Sequence, residues 1–250
     1  MNFLEKQQQF VCIDCETTGL DPKNDRVIEV AAVIFTLEQD IEGFESLINP
    51  QMIIPEASIK IHHITDSMVV GKPLLPEVLP KLIKMIGRLP IVGHGVGFDI
   101  ALLAEAAEKA SIPHSLSFNK VIDTLRMARL YGESPINSLL QLGKHFNIEV
   151  EGTHRAMTDV MINVGVFKYL FKQYRTLNQL YAALDKPILM KKMPLGKHKG
   201  RLLKDLPLDY LLWAAKKEFD MDLLFSLRSE VNRRKKGNLF NQSANPFTTL

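Results

Sequence analysis

Three stretches of this chain carry an acid where an apolar run breaks off: VCIDCETTG at 11–19, VGHGVGFDIALL at 92–103 and EGTHRAMTD at 151–159. Such runs are the strands and helix faces of a buried layer. A fold that uses all three gathers Asp14, Glu16, Asp99 and Asp159 along one edge of a sheet, with His154 close by. Four converging carboxylates repel one another unless a cation neutralises them, so the pattern implies bound metal. Oxygen ligands without cysteine favour two divalent cations, Mg2+ or Mn2+, over zinc.

The chain has 250 residues, 46% apolar and 24% charged, enough for one ordinary domain and a small appendage. No run reaches the ~18 apolar residues that span a bilayer, and MNFLEKQQQF lacks the features of a signal peptide. A cytoplasmic protein without membrane attachment is expected. Cys12 and Cys15 form a CxxC. Positions three apart on a strand face opposite sides of the sheet, so a shared redox or zinc role is not expected.

Val11–Ile13 reads as a strand delivering Asp14 and Glu16 at its end, with Val27–Leu37 and Phe44–Ile48 completing a meander. A loop over Pro55–Leu75, containing IHHIT, follows. Helices are expected at 77–86, 99–110, 124–130, 138–145 and 155–174, with strands at 90–92 and 120–122. An antiparallel start followed by strand–helix alternation predicts an α/β fold, a mixed sheet flanked by helices. Positions 8–178 are assigned to this domain.

Net charge is only +3 but unevenly spread. Positions 186–236 hold 14 Lys/Arg against 6 Asp/Glu, or +8, and the rest holds 17 against 22, or −5. A linker running into a tight hairpin is expected at 186–200, then a short helix within 205–219. A small basic C-terminal module is therefore assigned to 186–230, and a disordered tail to 231–250.

Two acids at alternate strand positions, Asp14 and Glu16, point to one face and suit bridging two cations about 3.5–4 Å apart. Phosphate-ester cleavage is the chemistry such a pair of ions serves best. Thr17, Thr18 and Gly19 supply hydroxyls, amides and a permissive turn for close approach of a nucleotide. Asp99 opens a helix after a glycine-rich segment and could equally be its N-cap. His94 could contact the site or be a satisfied structural histidine. His154 precedes Asp159 by five residues, a poor match for one helix face. On a loop before the helix it could take a proton from water.

DCETTG, GHGVGFD and HRAMTD together resemble the three motifs of the DnaQ-like (DEDD) 3′→5′ exonuclease superfamily, over about Phe10 to Tyr174. His154 with Arg155 after it resembles the histidine branch (DEDDh), and within that branch the chain is similar to bacterial DNA polymerase III epsilon (proofreading) subunits. The resemblance implies an RNase H-like core and a two-metal mechanism. Asp14, Glu16, Asp99 and Asp159 would be the ligands and His154 the general base. IHHIT is similar to the family's H-x-I turn, which implies that His62, Ile64, Thr17 and Leu20 meet the terminal nucleotide; core packing is the alternative for Ile64 and Leu20. Gly95 stands where family members often carry asparagine, which removes a side-chain hydrogen bond near the strand.

The implied function is removal of nucleoside monophosphates from single-stranded or frayed DNA 3′ ends in replication proofreading or repair, with a replicative polymerase subunit as a partner. Trimming of small RNA or tRNA 3′ ends is an alternative, and a non-catalytic nucleic-acid-binding or polymerase-tethering protein is another. MPLGKHKGRLLKDLPLDYLLW resembles a small domain of unknown function. Lys197, Lys199 and Arg201 could grip phosphates there, while Tyr210 and Trp213 either stack on bases or form the module's core.

Overall fold

The computed structural model describes residues 7–21, 23–134, 136–148 and 154–243, with side chains through position 235. The chain divides into two compact units, Met1–Leu184 and Asp185–Leu250.

The first unit is built on a five-stranded mixed sheet: β1 (Phe10–Thr17), β2 (Val27–Phe35), β3 (Asp40–Leu47), β4 (Ile91–Gly93) and β5 (Val121–Asp123). Its spatial order is β3-β2-β1-β4-β5. The β1–β2–β3 meander is antiparallel, while β4 and β5 run parallel to β1. The C-terminal ends of β1, β4 and β5 therefore share one edge. β1 is longer than its apolar core suggests: pairing with β2 continues to Glu16 opposite Glu29, so Asp14 and Glu16 lie inside the strand.

Helices α1 (Glu56–His62) and α2 (Asp66–Val69) occupy the segment expected to be loop. They are followed by α3 (Leu75–Ile86), α4 (Gly97–Lys109), α5 (Thr124–Tyr131), α6 (Leu139–His145), α7 (Ala156–Phe171) and α8 (Leu177–Leu184). Strand alternation divides β1 between two cores. Phe10 and Cys12 face α7, whereas Val11 and Ile13 face α3 and α4. The apolar stripe of α7 is core packing, with Phe167 against Phe10 and Phe35 at centroid distances of 5.0 and 5.6 Å. Leu180 and Leu184 join the same core, which carries this unit past position 178.

The two cysteines separate as the strand period requires: Cys12 is buried on the α7 side and Cys15 packs on the α4 side. Burial holds both thiols well above the usual range, so both stay protonated and inert.

The second unit contains a hairpin closed by an antiparallel bridge between Lys192 and Leu202, then α9 (Leu208–Ala214) and α10 (Met221–Ser243). Positions 186–190 are not a free linker. The Ile188 amide donates to the buried Asp222 carboxylate, and the Met190 amide to the buried Ser226 hydroxyl. α10 also corrects the expected tail, because 231–243 is helical; Val231 is buried and Arg234 donates to the carbonyls of Leu206 and Leu203. The charge run masked the helical period there. Positions 244–250 lie outside the described residues. Among the described residues, no helix is long and apolar enough to cross a membrane.

Candidate active site

Asp14 and Glu16 continue the face of β1 that Phe10 and Cys12 begin, so they meet α7 where its first turn crosses the sheet. On α7, Ala156, Asp159, Asn163 and Phe167 follow helical spacing along the sheet-facing side. Oxygens of Asp14, Glu16 and Asp159 all lie within 4.8 Å of one another. Asp99, three residues into α4, comes from the neighbouring parallel strand, and its Oδ1 accepts the Cys15 amide at 3.0 Å. It is not the N-cap; Val96 holds that position.

The β4–α4 turn is shaped by glycine. A Cβ on Gly93 would stand 2.4 Å from the Val96 side chain and 3.3 Å from the Ile13 carbonyl. Gly95 has φ +70°, a left-handed conformation that asparagine also tolerates, and its amide donates to Asp123 Oδ1 at 2.9 Å. His94 is structural: Nδ1 lies 3.1 Å from Thr124 Oγ1, whose hydroxyl stands 2.6 Å from Asn163 Oδ1, and burial pushes its pKa down.

The electrostatics are those of a site built for cations. Burial, then the charge of Asp99 and of Asp159, raises the Asp14 carboxyl well above its usual range. Burial, Asp159 and Glu29 push Glu16 up to about 7, against the relieving charge of Arg155. Asp99 is pushed up to about 7, chiefly by burial, and Asp159 is raised by burial against the opposing effect of His154. Each acid resists ionisation until positive charge arrives. The donors are all carboxylate oxygens, which fits Mg2+ or Mn2+.

His154 precedes α7, as its spacing from Asp159 requires. Its φ is +57°, unusual for a side chain larger than asparagine. The first three residues of EGTHRAMTD lie outside the described residues.

The nucleotide-contact candidates divide. Leu20 is 87% exposed, beside Thr17, whose hydroxyl donates to the Gly19 carbonyl at 2.6 Å. Thr18 is buried and its Oγ1 is committed to the turn, donating to Asp25 and accepting from the Arg26 amide, both at 2.9 Å. A Cβ on Gly19 would fall 2.4 Å from the Asp25 carboxylate, so glycine is needed there for packing. Ile64 is fully buried with Ile28, Ile54 and Val69, which makes it a core residue rather than a substrate contact. His62 is buried, with Nδ1 accepting the Ile64 amide at 3.0 Å and Nε2 without a partner among the described residues.

One residue outside the motifs, Glu29, and Arg155 of the third motif hold this site together. Glu29 on β2 is fully buried, takes a two-pronged ion pair from Arg155, Nε on Oε2 at 3.0 Å and Nη2 on Oε1 at 2.5 Å, and accepts the Ala156 amide at 3.0 Å. It thereby caps α7 from across the sheet. The signal was present in the sequence: one acid inside VIEVAAVIF must be buried, and a buried acid needs a partner.

An exonuclease family model matches residues 11–167, more than half of the chain. The chain belongs to the DnaQ-like 3′→5′ exonuclease family. It is 32% identical over 197 residues to DNA polymerase III PolC-type of Clostridium perfringens, covering 75% of this chain and 13% of that protein. It is 33% identical over 179 residues to the PolC-type enzyme of Staphylococcus aureus, covering 70% and 12%. The chain thus spans about an eighth of the length of these relatives. Among solved structures, Exonuclease X in complex with 5′ overhanging duplex DNA superposes with a TM-score of 0.57 at 24% identity, covering 70% of this chain and 98% of that one. E. coli Exonuclease I in complex with a dA16 oligonucleotide superposes with 0.62 at 23% identity, covering 72% and 43%. These two likenesses bear on the fold, and the mixed sheet flanked by helices agrees with the expected RNase H-like class. A second family model, described as "Putative quorum-sensing-regulated virulence factor", matches residues 183–227.

Proposed function

We propose that this chain is a divalent-metal-dependent exonuclease that releases nucleoside monophosphates from single-stranded or frayed DNA 3′ ends, in replication proofreading or repair. The observation that carries this reading is the convergence of Asp14, Glu16 and Asp159 within 4.8 Å, on the sheet edge where the Cys15 amide also holds Asp99. A protein that only bound nucleic acid would gain nothing from acids that raise one another's pKa.

Asp14, Glu16, Asp99 and Asp159 would hold two cations, which supply an activated water and stabilise the leaving 3′ oxygen when bound. His154 would serve as the general base. Leu20 and Thr17 receive the terminal nucleotide beside the carboxylates, with the Thr18–Asp25 hydrogen bond fixing the turn beneath them. Because Asp14 and Glu16 are half-buried, the terminal nucleotide must leave its complementary strand to bring its phosphate to them. Exonuclease X binds overhanging duplex DNA in its solved complex, and the PolC-type relatives are DNA polymerases. The PolC-type likeness supports DNA as substrate and a polymerase as partner.

The test compares 5′-labelled primers with matched and mismatched 3′ ends, and an RNA strand of the same sequence, in Mg2+ or Mn2+. Faster shortening of the mismatched DNA primer supports proofreading. Faster shortening of the RNA reassigns the chain to RNA trimming.

A further inference from the structure

The C-terminal unit closes its own core without using its tryptophan. On α9, Leu211 and Ala214 point inward and are fully buried, whereas Trp213 is 52% exposed. Tyr210, three positions earlier, is half-buried and lies against Trp213 with ring centroids 5.5 Å apart and planes at 37°. Each ring carries a lysine: Lys197 Nζ is 5.5 Å from the Tyr210 centroid and Lys217 Nζ is 5.0 Å from that of Trp213. The hairpin adds His198, edge-on to Tyr210 at 4.4 Å, and Arg201 Nη1 at 3.3 Å from His198 Nδ1. Asp209, one helical turn before Trp213, is the acid nearest in sequence on that side of α9.

We propose that this face, Tyr210 and Trp213 flanked by Lys197 and Lys217, binds single-stranded nucleic acid, with a base stacked on Trp213 and the lysines on adjacent phosphates. Rings interleaved with cations match the alternation of base and phosphate along a strand. The excess of positive charge over 186–236 supplies the long-range attraction. A duplex keeps its bases stacked inside and offers no ring face to Trp213, so the surface selects unpaired strand. This binding is independent of the carboxylate site and needs no metal.

Trp213 is the single tryptophan of the chain, so its emission reports on this surface alone. The full chain is titrated in EDTA, which prevents turnover, with oligothymidylate of about 16 nucleotides, the upper end of a single-strand site. Saturable quenching that weakens with salt is expected. The Lys197→Ala/Lys217→Ala double variant should lower the logarithmic salt slope by about 1.4, at roughly 0.7 per phosphate contact. Trp213→Leu, read by anisotropy of a labelled strand, should weaken binding at least ~5-fold, the scale of one lost stacked base. Heparin, an anion without bases, should leave the emission unchanged. Unchanged emission while the labelled strand binds would overturn the proposal and leave the carboxylate-site reading intact. Equal quenching by heparin would overturn it as well, reducing the face to a general polyanion surface. Quenching without any metal-dependent hydrolysis in a separate assay supports it and counts only against the nuclease.

Discussion

Arg155 closes a two-pronged ion pair on Glu29, which lies directly opposite Glu16 in the β1–β2 register. The residue next to the proposed base is thus anchored to the residue next to a proposed ligand. The same Glu29 carboxylate takes the first free amide of α7, fixing the helix that carries Asp159.

Removing Arg155 leaves Glu29 buried and unpaired. Arg155→Ala is expected to cost about 2–3 kcal/mol in urea unfolding, below the range for fully buried pairs because the arginine side chain is 39% exposed. Replacing both partners, Glu29→Gln with Arg155→Met, should recover part of that loss. kcat should fall in both proteins, since the loop bearing His154 loses its anchor. An Arg155→Ala protein with full stability and full kcat would contradict the positioning role.

The pKa directions give a stability profile with a definite sign. Acids raised in the folded state bind more protons folded than unfolded, so metal-free stability falls as pH rises from the ordinary carboxylate range through about 7, where Glu16 and Asp99 ionise. Metal binding needs the ionised form. The thermal shift produced by Mg2+ should therefore be larger at about pH 8 than at about pH 5.5, and half-saturating Mg2+ should rise as pH drops below about 7. Asp14→Asn should raise the metal-free melting temperature at the higher pH and abolish the shift. A pH-independent shift would contradict the assignment of these acids as ligands.

His154→Ala should lower kcat by at least ~10²-fold, the scale of general-base loss, while leaving the Mg2+-induced thermal shift in place. His154→Gly relieves the left-handed φ yet should be equally slow, which separates the imidazole's role from backbone strain.

Leu20 and Ile64 are read alike from the motifs but differ in the fold. Leu20→Ala should change stability by less than about 0.5 kcal/mol, because its side chain stands in water, and should raise KM as a proposed contact of the terminal nucleotide. Ile64→Ala should cost about 2–5 kcal/mol as a core cavity. A raised KM from Ile64→Ala without loss of stability would reverse this division.

Much of the first unit is legible because its signals are local. The alternation that puts Asp14 and Glu16 on one face of β1, the apolar period of α7 and the glycine turn before Asp99 each predict their own placement, although β1 runs on past both acids. The spacing of His154 from Asp159 correctly excludes one shared helix face. What stays hidden depends on partners distant in sequence. Thr18 and Gly19 look like nucleotide contacts until Asp25 is seen to occupy the space beside them. Glu29 is marked as a buried acid by its apolar strand, but its partner, Arg155, stands 126 residues away. In the second unit, the basic run around Arg233 and Arg234 reads as a solvated tail. Its arginines instead bond Glu230 one turn earlier and, from Arg234, the Leu206 carbonyl before α9, which ties α10 to that segment.

The most direct test follows a 5′-labelled single strand of DNA in Mg2+ with the purified full chain. A ladder shortening one nucleotide at a time from the 3′ end, stopped by EDTA and absent in Asp14→Asn and Asp159→Asn, is the predicted result. A strand that stays intact when Mg2+ is bound, or one cut internally or from its 5′ end, would contradict the account.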